Sequence, residues 1–464
     1  WLHAVVEERL RYVPVGWTKG YEFSETDLKC SLMVLDRWIA TASRGLSHMD
    51  PAALNWEAIQ SLLGQSLYGG RIDSPFDDKL LQSLVRRFFV RNVFDGRFPL
   101  VENVNADGVR EVLLYAPEGT TKQDFETWVN SLPVYNSPLW LGLPATAEGR
   151  LLSTQGSYIL RSLLLLQDSV DVEKELHVDA VPSEVTTAPY WMTTLATSAE
   201  NWLQMLLVDI HPFSLTEEQL KNPLNRYLNR EIQLLCQLQR RVVDDLKGVL
   251  GVCTGNMKST HQIRRLMREL SEDQIPEVWS GYYVTPPSQI CSLWVQDFIT
   301  RCQHFASLST LSLQQIRVEG IWLGGLMQPE ACVTAMRQLV AQQNTWPLDK
   351  VRLTLRPLTT EQYEGREALL AEKQNCFLIH GLMLEGAEWS NNVLQPSEEI
   401  RFPLDEVVFE WSCLEHTDSE MSVPMYLNDT RSDLLCVVEM RFTETLPKEM
   451  WSERAVALIA WRQA

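Results

Sequence analysis

The feature that most constrains this fold is a change in hydrophobic period after Pro347. Before that residue, apolar side chains recur every three or four positions, which is typical of amphipathic helices. Beyond it, apolar and polar residues alternate from Val351 to Arg356, which is the period of a half-buried strand. The chain is therefore predicted to be mainly α and to continue into a small antiparallel β-barrel or sandwich, α+β overall.

The prediction of strands rests on six short stretches of residues. They alternate or are rich in β-branched and aromatic residues, and turn residues separate them, as in small antiparallel barrels and sandwiches. The predicted strands cover 351–356, 376–385, 405–412, 421–428, 434–442 and 453–460.

The clearest helix is predicted over 224–250, where apolar residues are three, four or seven positions apart. We expect Leu228, Ile232, Leu235 and Val242 to be buried on its inner face. Other helices are predicted over 76–91, 151–167, 260–271, 290–306 and 329–343.

Two N-caps predict helices near the start of the sequence. Ser24 to Asp27 resembles a capping box, and Asp50 precedes a proline that suits a first helical position. The first of these helices is expected to bury one apolar stripe, which consists of Leu28, Leu32, Leu35 and Ile39.

Two stretches have no helical period. Residues 100–121 contain Gly108, Pro117 and Gly119 and are predicted to connect two domains. Residues 168–189 are acidic and poor in large apolar groups, which predicts a mobile loop. The predicted domains are a helical domain over 1–115, a second helical domain over 120–345 and the β module over 348–464.

Charge and cysteine content narrow the possible partners. A formal net charge of −19 repels phosphate backbones and anionic lipid, so neither nucleic acid nor a membrane is an expected partner. The nine cysteines are scattered and form no CxxC pair, which indicates reduced thiols in an intracellular protein. Since Trp1 begins inside a helical pattern, the sequence is expected to be part of a longer polypeptide.

The motifs of common catalytic sites are missing. The dipeptide Gly-Lys does not occur, so there is no P-loop to hold a nucleotide, and GxGxxG and HExxH are absent too. Neighbouring carboxylates such as Asp77 and Asp78 are expected to lie on solvated faces, because adjacent residues on a helix point about 100° apart. We therefore predict no catalytic, cofactor-binding or metal-ligating residue in this protein.

Two glycine pairs have structural and functional interpretations. Gly69-Gly70-Arg71 matches an arginine finger or phosphate loop, but the structural interpretation is a helix end in which Gly70 takes a positive φ. Gly324-Gly325 is expected to form a tight bend beneath Trp322 rather than a ligand loop.

Several stretches resemble dynein heavy chains in family order. Glu8 to Trp17, continuing to Leu28, resembles the start of the lid of the sixth AAA+ module, and Ser66 to Ile72 resembles a turn of that lid. Trp140 to Pro144 resembles the start of the dynein C-terminal domain, and Glu453 to Ala457 its closing strand. The structural motif residues taken from these matches are Gly16, Trp17, Tyr21, Phe23, Tyr68, Gly69, Gly70, Arg71, Trp140, Gly142, Pro144, Gly324, Gly325, Gly381 and Gly386.

This resemblance implies a function through the parent molecule. The residues of the lid motifs are more similar to those of cytoplasmic transport dyneins than to those of axonemal dyneins. The parent would be an ATP-driven, minus-end-directed microtubule motor, a homodimer with accessory chains and a microtubule-binding coiled-coil stalk. The ATP and Mg²⁺ would be bound by other modules of its AAA+ ring, and this part would pack on that ring as a non-catalytic regulatory element. The implied location is the cytoplasm and its cytoskeleton.

Two other functions remain open. The protein is alternatively an AAA+ half-site in which Arg71 or Arg9 acts in trans on a neighbouring nucleotide, although the missing P-loop counts against this. The β module is alternatively a docking site for adaptors or cargo, which a large exposed apolar patch over 351–460 would favour.

Overall fold

The computed structural model describes most of the sequence. The described ranges are 1–44, 50–104, 110–119, 121–135, 137–176, 190–210, 215–283, 290–359, 362–363, 365–397, 399–413, 419–443 and 446–460. Contacts divide the protein into two units. Unit 1 contains residues 1–153, 382–404 and 415–460, and unit 2 contains residues 154–381, 405–414 and 461–464. The units follow contacts whereas the predicted domains follow sequence order, so the predicted domain boundaries stay a prediction.

Helices form the first part of unit 1. They are α1 (Leu2–Glu8), α2 (Glu25–Ser43), α3 (Trp56–Ser61), α4 (Pro75–Phe88), α5 (Lys122–Ser131) and the start of α6 (Thr146–Leu176). Short 3₁₀ helices cover Arg9–Tyr12, Pro51–Ala53, Gly69–Arg71, Arg91–Phe94 and Pro138–Leu141, and a π-helix covers Leu62–Leu67. A core of apolar residues from α1, α3 and α4 holds them together.

Helix α2 confirms the predicted cap but not the predicted buried stripe. Ser24 and Asp27 form the capping box. Leu32 is 52% exposed and Ile39 is 42% exposed, so the expectation that the stripe is buried was wrong for these two residues. The buried residues of α2 are Asp27, which accepts from Arg71, and Ser31, while Leu35 packs partly buried against the core. Asp50 also differs from the prediction, since it caps only the short helix Pro51–Ala53.

The predicted connection over 100–121 contains a hairpin instead. Strands β1 (Pro99–Val104) and β2 (Arg110–Tyr115) pair in antiparallel fashion. In β2 the half-buried Val112 and Leu114 alternate with exposed residues, which is the strand period. The absence of a helical period is therefore confirmed, the strands themselves were not predicted, and the role of this segment as a connection between domains stays a prediction.

Unit 2 is built around one long helix. Its helices after α6 are α7 (Tyr190–Leu206), α8 (Pro223–Cys253), α9 (His261–Ser271), α10 (Glu277–Ser280), α11 (Cys291–Ser309), α12 (Leu313–Glu319), α13 (Pro329–Asn344) and α14 (Arg366–Glu372). Helix α8 contacts α7, α9, α10, α11 and α13. Leu228, Ile232, Leu235 and Val242 are each at most 1% exposed, so the predicted inner face is confirmed.

The predicted mobile loop over 168–189 is wrong for its first part. Helix α6 continues to Leu176, because acidic and polar composition argues against a packed core but not against a helix, which glutamate favours. Residues 177–189 lie outside the described residues.

The strands from Ile321 onward include those of the predicted β module, and β3 lies before its predicted start. They are β3 (Ile321–Trp322), β4 (Arg352–Pro357), β5 (Cys376–Glu385), β6 (Glu388–Ser390), β7 (Val393–Gln395), β8 (Arg401–Ser412), β9 (Glu420–Tyr426), β10 (Leu434–Arg441) and β11 (Ala457–Ile459). The strand predicted over 453–460 is confirmed only for Ala457–Ile459, because helix α15 (Lys448–Glu453), which buries Trp451 and Glu453, ends at its predicted first residue.

Most of these strands pair in antiparallel fashion. In unit 1, β9 pairs with β10, β6 with β7, and β11 with β5. In unit 2, β4 pairs with β8. The β11–β9 and β3–β5 pairs are parallel, so the sheet is mixed rather than purely antiparallel. The strand order is β11-β9-β10-β4-β8-β5-β3, and β11 also pairs with β5, so six of these strands close into a barrel. The α+β prediction with a terminal barrel is confirmed. Within the described part of the sequence, no helix is long and apolar enough to cross a membrane.

Candidate functional site

Arg9 connects three distant parts of unit 1. It begins the short helix after α1 and is fully buried. Its Nε donates to the carbonyl of Gly16 at 2.9 Å, one terminal nitrogen donates to the carbonyl of Leu141, and the other to the carbonyl of Glu453 at 3.0 Å. Burial lowers the pKa of Arg9 to about 10, so the guanidinium stays charged at neutral pH.

The carboxylate of Glu453 completes this connection. It ends α15 and accepts from Ser83 Oγ at 2.9 Å and from Arg87 Nη1 at 2.8 Å, both of which lie on α4. Gly142 leaves room for this carboxylate, because a Cβ there would lie 2.9 Å from Glu453 Oε2, and its φ of +76° is strained for other residues. We call Arg9, Ser83, Arg87 and Glu453 the Glu453 joint. It links the first helices of the protein to the segment that ends α15.

A second buried carboxylate lies at the end of β5. Glu385 accepts from Arg150 on α6, from Arg401 Nε at 3.0 Å and from Arg431 Nη2 at 2.9 Å. Arg401 also reaches the carboxylate of Asp429 at 3.2 Å. We call these five residues the Glu385 cluster. Burial alone would raise the pKa of Glu385, but the charges of the three arginines outweigh it and lower the pKa to about 2. Glu385 is therefore ionised at every physiological pH.

Gly386, the residue after Glu385, connects the Glu385 cluster to Arg454, which is the neighbour of Glu453. Gly386 has a φ of +80°, and its carbonyl accepts from Arg454 Nε at 3.2 Å. The other end of the Arg454 guanidinium donates to the carbonyl of Ser397 at 3.3 Å. Adjacent residues, Glu453 and Arg454, thus tie the end of α15 to α4 on one side and to the β5–β8 connection on the other.

Asp77 corrects the expectation that neighbouring carboxylates lie on solvated faces. It is only 3% exposed, and it accepts from Thr18 N at 3.2 Å and from the hydroxyl of Tyr21 at 2.7 Å. Burial, followed by the hydrogen bond to Asp77, raises the pKa of Tyr21. The buried position of Asp77 depends on Thr18 and Tyr21, which lie about 60 residues away in the sequence, so adjacency to Asp78 was no guide to it.

The aromatic motif residues meet in the core of unit 1. The Trp17 ring lies 5.9 Å from that of Tyr21 and 5.5 Å from that of Phe23, and the Phe23 ring lies 6.2 Å from that of Tyr68. Trp17 Nε1 donates to the carbonyl of Val6 at 2.9 Å. Gly16, the neighbour of Trp17, holds Arg9 through its carbonyl. These residues position the Glu453 joint by fixing the path of the backbone around Arg9.

The turn at Gly69-Gly70-Arg71 differs from the predicted helix end. Gly70 lies inside a 3₁₀ helix and does not take a positive φ. The tight approach is at Gly69, where a Cβ would lie 1.8 Å from the carbonyl oxygen of Gly64. A π-helix precedes this turn and brings the two backbones together, which a simple helix end would not do. Arg71 forms an ion pair with Asp27 at 2.8 Å.

The remaining motif residues fall in different places. Trp140 lies in the short helix before Gly142 with its ring 6.2 Å from Trp1, and Pro144 is buried nearby. In unit 2, Gly324 and Gly325 form a 3₁₀ turn. A Cβ at Gly325 would lie 2.1 Å from the Trp322 ring, which confirms the predicted bend beneath that aromatic. Gly381, the last residue of the first stretch of unit 2, lies within β5 with a φ of +74°.

The comparison with known proteins identifies the arrangement. A model described as the AAA lid domain of the dynein heavy chain matches residues 1–147, and a model described as the C-terminal domain of the dynein heavy chain matches residues 153–460. The protein belongs to the dynein heavy chain family. The Glu453 joint therefore connects the dynein lid, which contributes Arg9, Ser83 and Arg87, to Glu453 of the C-terminal domain.

Relatives cover nearly the whole sequence. The cytoplasmic dynein heavy chain of Drosophila melanogaster is 36% identical over 99% of it, and that of Dictyostelium discoideum is 34% identical over 100% of it. Dynein axonemal heavy chain 5 of Mus musculus is 24% identical over 99% of it. The sequence spans about a tenth of the length of these relatives: 10%, 10% and 9%.

Sequence reasoning found the dynein motifs but not the charged partners inside them. Glu453 and Arg454 lie in a stretch that carried the resemblance, yet nothing local shows that they face α4 and Gly386. Glu385 also lies in such a stretch, between the motif glycines Gly381 and Gly386, but nothing local shows its partners. Arg87, Arg150, Arg401 and Arg431 gave no signal, because single charged residues on helices and strands are usually solvated. Among the described residues, no group of His, Cys, Asp and Glu is arranged to hold a metal ion.

Proposed function

We propose that this part of a dynein heavy chain is a non-catalytic structural and regulatory element of a cytoplasmic dynein motor. It packs on the AAA+ ring and tunes the mechanics of an ATP-driven, minus-end-directed microtubule motor. The observation that carries the proposal is the Glu453 joint, in which buried charges from the lid hold α15 of the C-terminal domain. The names of the relatives support the cytoplasmic assignment.

The chemistry of the joint suits a mechanical role. Charge-assisted hydrogen bonds are directional, and those of Arg9 and Arg87 are buried, so they fix both distance and angle. A lid that rotates must either carry α15 with it or break these bonds. Breaking them leaves a buried charge without a partner, which is costly. The joint therefore transmits movement of the lid to the closing segment.

The engaged arginines also support a non-catalytic function. A half-site acting in trans needs an arginine that can reach the nucleotide of a neighbour. Arg9 is fully buried and makes three hydrogen bonds within its own unit. The Arg71 side chain is 39% exposed but is held by Asp27. ATP and Mg²⁺ then belong to other modules of the ring, and calorimetry is expected to detect no micromolar ATP binding by this protein.

The partners follow from the family. The lid packs on other AAA+ modules of the same heavy chain, and the whole motor is a cytoplasmic homodimer with accessory chains that walks on microtubules. Docking of adaptors on the outer face of the barrel is not favoured. In the described part of 351–460, the exposed large apolar side chains are only Ile400, Leu434 and Val437.

The sharpest test is Glu453→Gln in the full-length motor. Microtubule-stimulated ATPase is expected to persist, since no nucleotide site is touched. Run length, stall force or stepping in single-molecule assays is expected to change, because coupling energies of about 1–3 kcal/mol shift conformational equilibria about 5–150-fold. Glu449→Gln, on the exposed side of the same helix, is the matched control.

Two outcomes would overturn the proposal. Loss of ATPase in a folded Glu453→Gln motor would make this region part of the catalytic machinery, and unchanged mechanics would remove the transmitting role. The point variant is preferable to a truncation at 347. Such a truncation removes residues 382–404 and 415–460 of unit 1 and so leaves Arg9 and Arg87 without Glu453.

A further inference from the structure

The outward face of α8, in unit 2, carries a row of positively charged side chains. Five exposed residues, alternately four and three positions apart, lie on the side of α8 opposite its buried apolar face. We call them the basic row: Arg226, Arg230, Gln233, Gln237 and Arg240. At a rise of about 1.5 Å per residue the row is about 21 Å long. The nearest exposed acidic residues along the sequence are Glu218 before it and Asp244 after it.

The charge of this region is opposite to that of the whole protein. The formal net charge of the protein is −19, whereas residues 223–271, from the start of α8 to the end of α9, contain nine Lys and Arg against four Asp and Glu, a charge of +5. The other residues therefore carry −24. One of the four acids, Glu231, is buried and accepts from the backbone N–H groups of Met327 and Gln328. Since a large net charge of either sign keeps a protein soluble, solubility does not explain side chains that reduce it.

The three arginines of the row are not neutralised by their surroundings. Among the residues that the structure describes, none of them forms an ion pair, and Arg226 Nε donates only to the carbonyl of Leu220 at 3.4 Å. On the same helix, by contrast, Arg241 pairs with Asp245 at 3.2 Å. Arg226 and Arg230 are one turn apart, where like charges repel and weaken a helix. A feature that weakens its own helix without a compensating contact is expected at a binding surface.

The chemistry and spacing of the row favour carboxylates on an extended chain. A guanidinium donates two parallel hydrogen bonds to one carboxylate, and a glutamine amide both donates to and accepts from peptide groups. Along α8, Arg230 lies about 6 Å from Arg226, and Arg240 lies about 21 Å from it. An extended chain rises about 3.3 Å per residue and places alternate side chains on one side. Carboxylates at the first, third and seventh residues of such a chain would therefore reach all three arginines.

The length of the row favours a short segment over a long polyanion. Exposed charges are largely screened beyond about 8 Å at physiological ionic strength. A nucleic acid or an anionic membrane would extend past the row and meet the part of the protein that carries −24. A segment of seven residues, about 20 Å from its first to its last residue when extended, covers only the row.

We propose that the basic row of α8 binds a short, extended acidic segment of a partner protein. The carboxylates of the segment pair with Arg226, Arg230 and Arg240, and its backbone bonds the side-chain amides of Gln233 and Gln237. The proposal does not depend on the mechanical role of the Glu453 joint, whose residues belong to unit 1.

Saturation-transfer difference NMR with the full-length heavy chain tests this proposal, because it detects weak ligands of large proteins. The probe is a capped heptapeptide of serine with glutamate at its first, third and seventh positions. Two comparison peptides replace these glutamates with lysine or move all three to the centre. The probe is expected to bind, the lysine peptide not to bind, and the clustered peptide to bind more weakly. Arg226→Glu, Arg230→Glu and Arg240→Glu each replace an attraction by a repulsion and are expected to weaken binding of the probe about fivefold or more.

A matched control separates the row from general charge effects. Arg352→Glu reverses an exposed arginine on β4 in the same unit and changes the net charge equally, so it is expected to leave binding unchanged. All four substitutions are at exposed residues, so the variants should fold. No saturation transfer to the probe at about 1 mM, equal binding of the probe and either comparison peptide, or an equal loss in Arg352→Glu would overturn the proposal. Co-sedimentation with phosphatidylserine vesicles that Arg230→Glu abolishes would assign the row to a membrane and overturn it as well.

Discussion

Unit 1 adds buried charges between distant segments to its apolar core, whereas the long helix α8 of unit 2 packs on its neighbours mainly through an apolar face. Arg9 and Glu453 meet across 444 residues of sequence. In unit 2, the apolar face of α8 recurs within a single helix and meets its neighbours along its length. The contacts described in unit 1 therefore depend on pairs of residues that are distant in the sequence. Those of α8 in unit 2 depend on the spacing of apolar residues within one helix.

The two kinds of contact also differ in what they contribute to stability. Apolar burial stabilises by roughly 25 cal/mol per Å² and tolerates changes of shape. A buried ion pair adds little net stability, since desolvation offsets much of its attraction, but removing one partner leaves an uncompensated charge. We therefore expect single substitutions to act through lost partners in unit 1 and through cavities in unit 2.

The largest effect is expected at Glu385. Glu385→Gln removes the buried charge that Arg150, Arg401 and Arg431 share and should lower the free energy of unfolding by about 3–5 kcal/mol. Urea denaturation with hydrogen exchange along β5 and β8 measures it. Glu399→Gln, at an exposed glutamate of the same unit, should change little. Equal effects of the two substitutions would show that the buried cluster does not differ from a surface pair.

In unit 2, Leu235→Ala should cost about 2–5 kcal/mol, because the side chain is fully buried and the cavity would be lined by packed helices. Leu293→Ala, at a position 54% exposed on α11, is the control and should stay within about 0.5 kcal/mol. A loss at Leu235 as small as at Leu293 would contradict the view that α8 is the centre of this unit.

Falling pH should destabilise unit 2 before it destabilises unit 1. His304 is buried beside Trp322, whose backbone N–H donates to His304 Nε2 at 3.4 Å. Burial, followed by the charges of His380 and Arg301, lowers the pKa of His304 to about 4. The unfolded state therefore takes up this proton first, so the contribution of His304 is complete above pH 6.5 and is lost as the pH falls towards 4. Glu385 has a pKa of about 2 against an ordinary 4.5, so its contribution is lost only below pH 4.5.

At pH 5.5, hydrogen exchange should show α11 less protected than at pH 7 by about 1 kcal/mol, while the end of β5 keeps its protection. His304→Gln should remove this dependence in α11. Earlier loss of protection at β5 than at α11 would reverse the expected order.

The smallest effect is expected at Arg71. Its side chain is 39% exposed, so the pair with Asp27 is partly screened by solvent. Arg71→Gln should cost at most about 1 kcal/mol, and a double-mutant cycle with Asp27→Asn measures the coupling. A coupling comparable to the effect of Glu385→Gln would make the Gly69–Arg71 turn a second ionic centre.

Prediction from the sequence succeeded where the signal was local. The spacing of Leu228, Ile232, Leu235 and Val242 predicted α8 and its buried face, and the change of period after Pro347 predicted the barrel. It failed where the deciding partner lay far away in the sequence. The stripe on α2 is partly exposed because this helix is held through Asp27, whose partner Arg71 is 44 residues away.

The candidate site was the least predictable part. Gly16, Trp17, Gly142 and Gly386 were selected by resemblance, and the structure shows them holding or making room for charged groups. The charged groups themselves were not selected. A lone glutamate such as Glu453 is indistinguishable from a surface residue until the fold brings Ser83 and Arg87 to it.

The distance between these partners in the sequence also sets an order of events during synthesis. Glu453 follows Arg87 by 366 residues. At about 5–20 residues per second, the ribosome delivers Glu453 about 20–70 s after Arg87. Through that interval Arg9 can bond only Gly16 and Leu141, and Arg87 only the carbonyl of Leu100, so the lid lacks the contacts that Glu453 supplies. A premature stop anywhere before residue 453 would release a polypeptide whose lid never acquires the contacts of Arg9, Ser83 and Arg87 with Glu453.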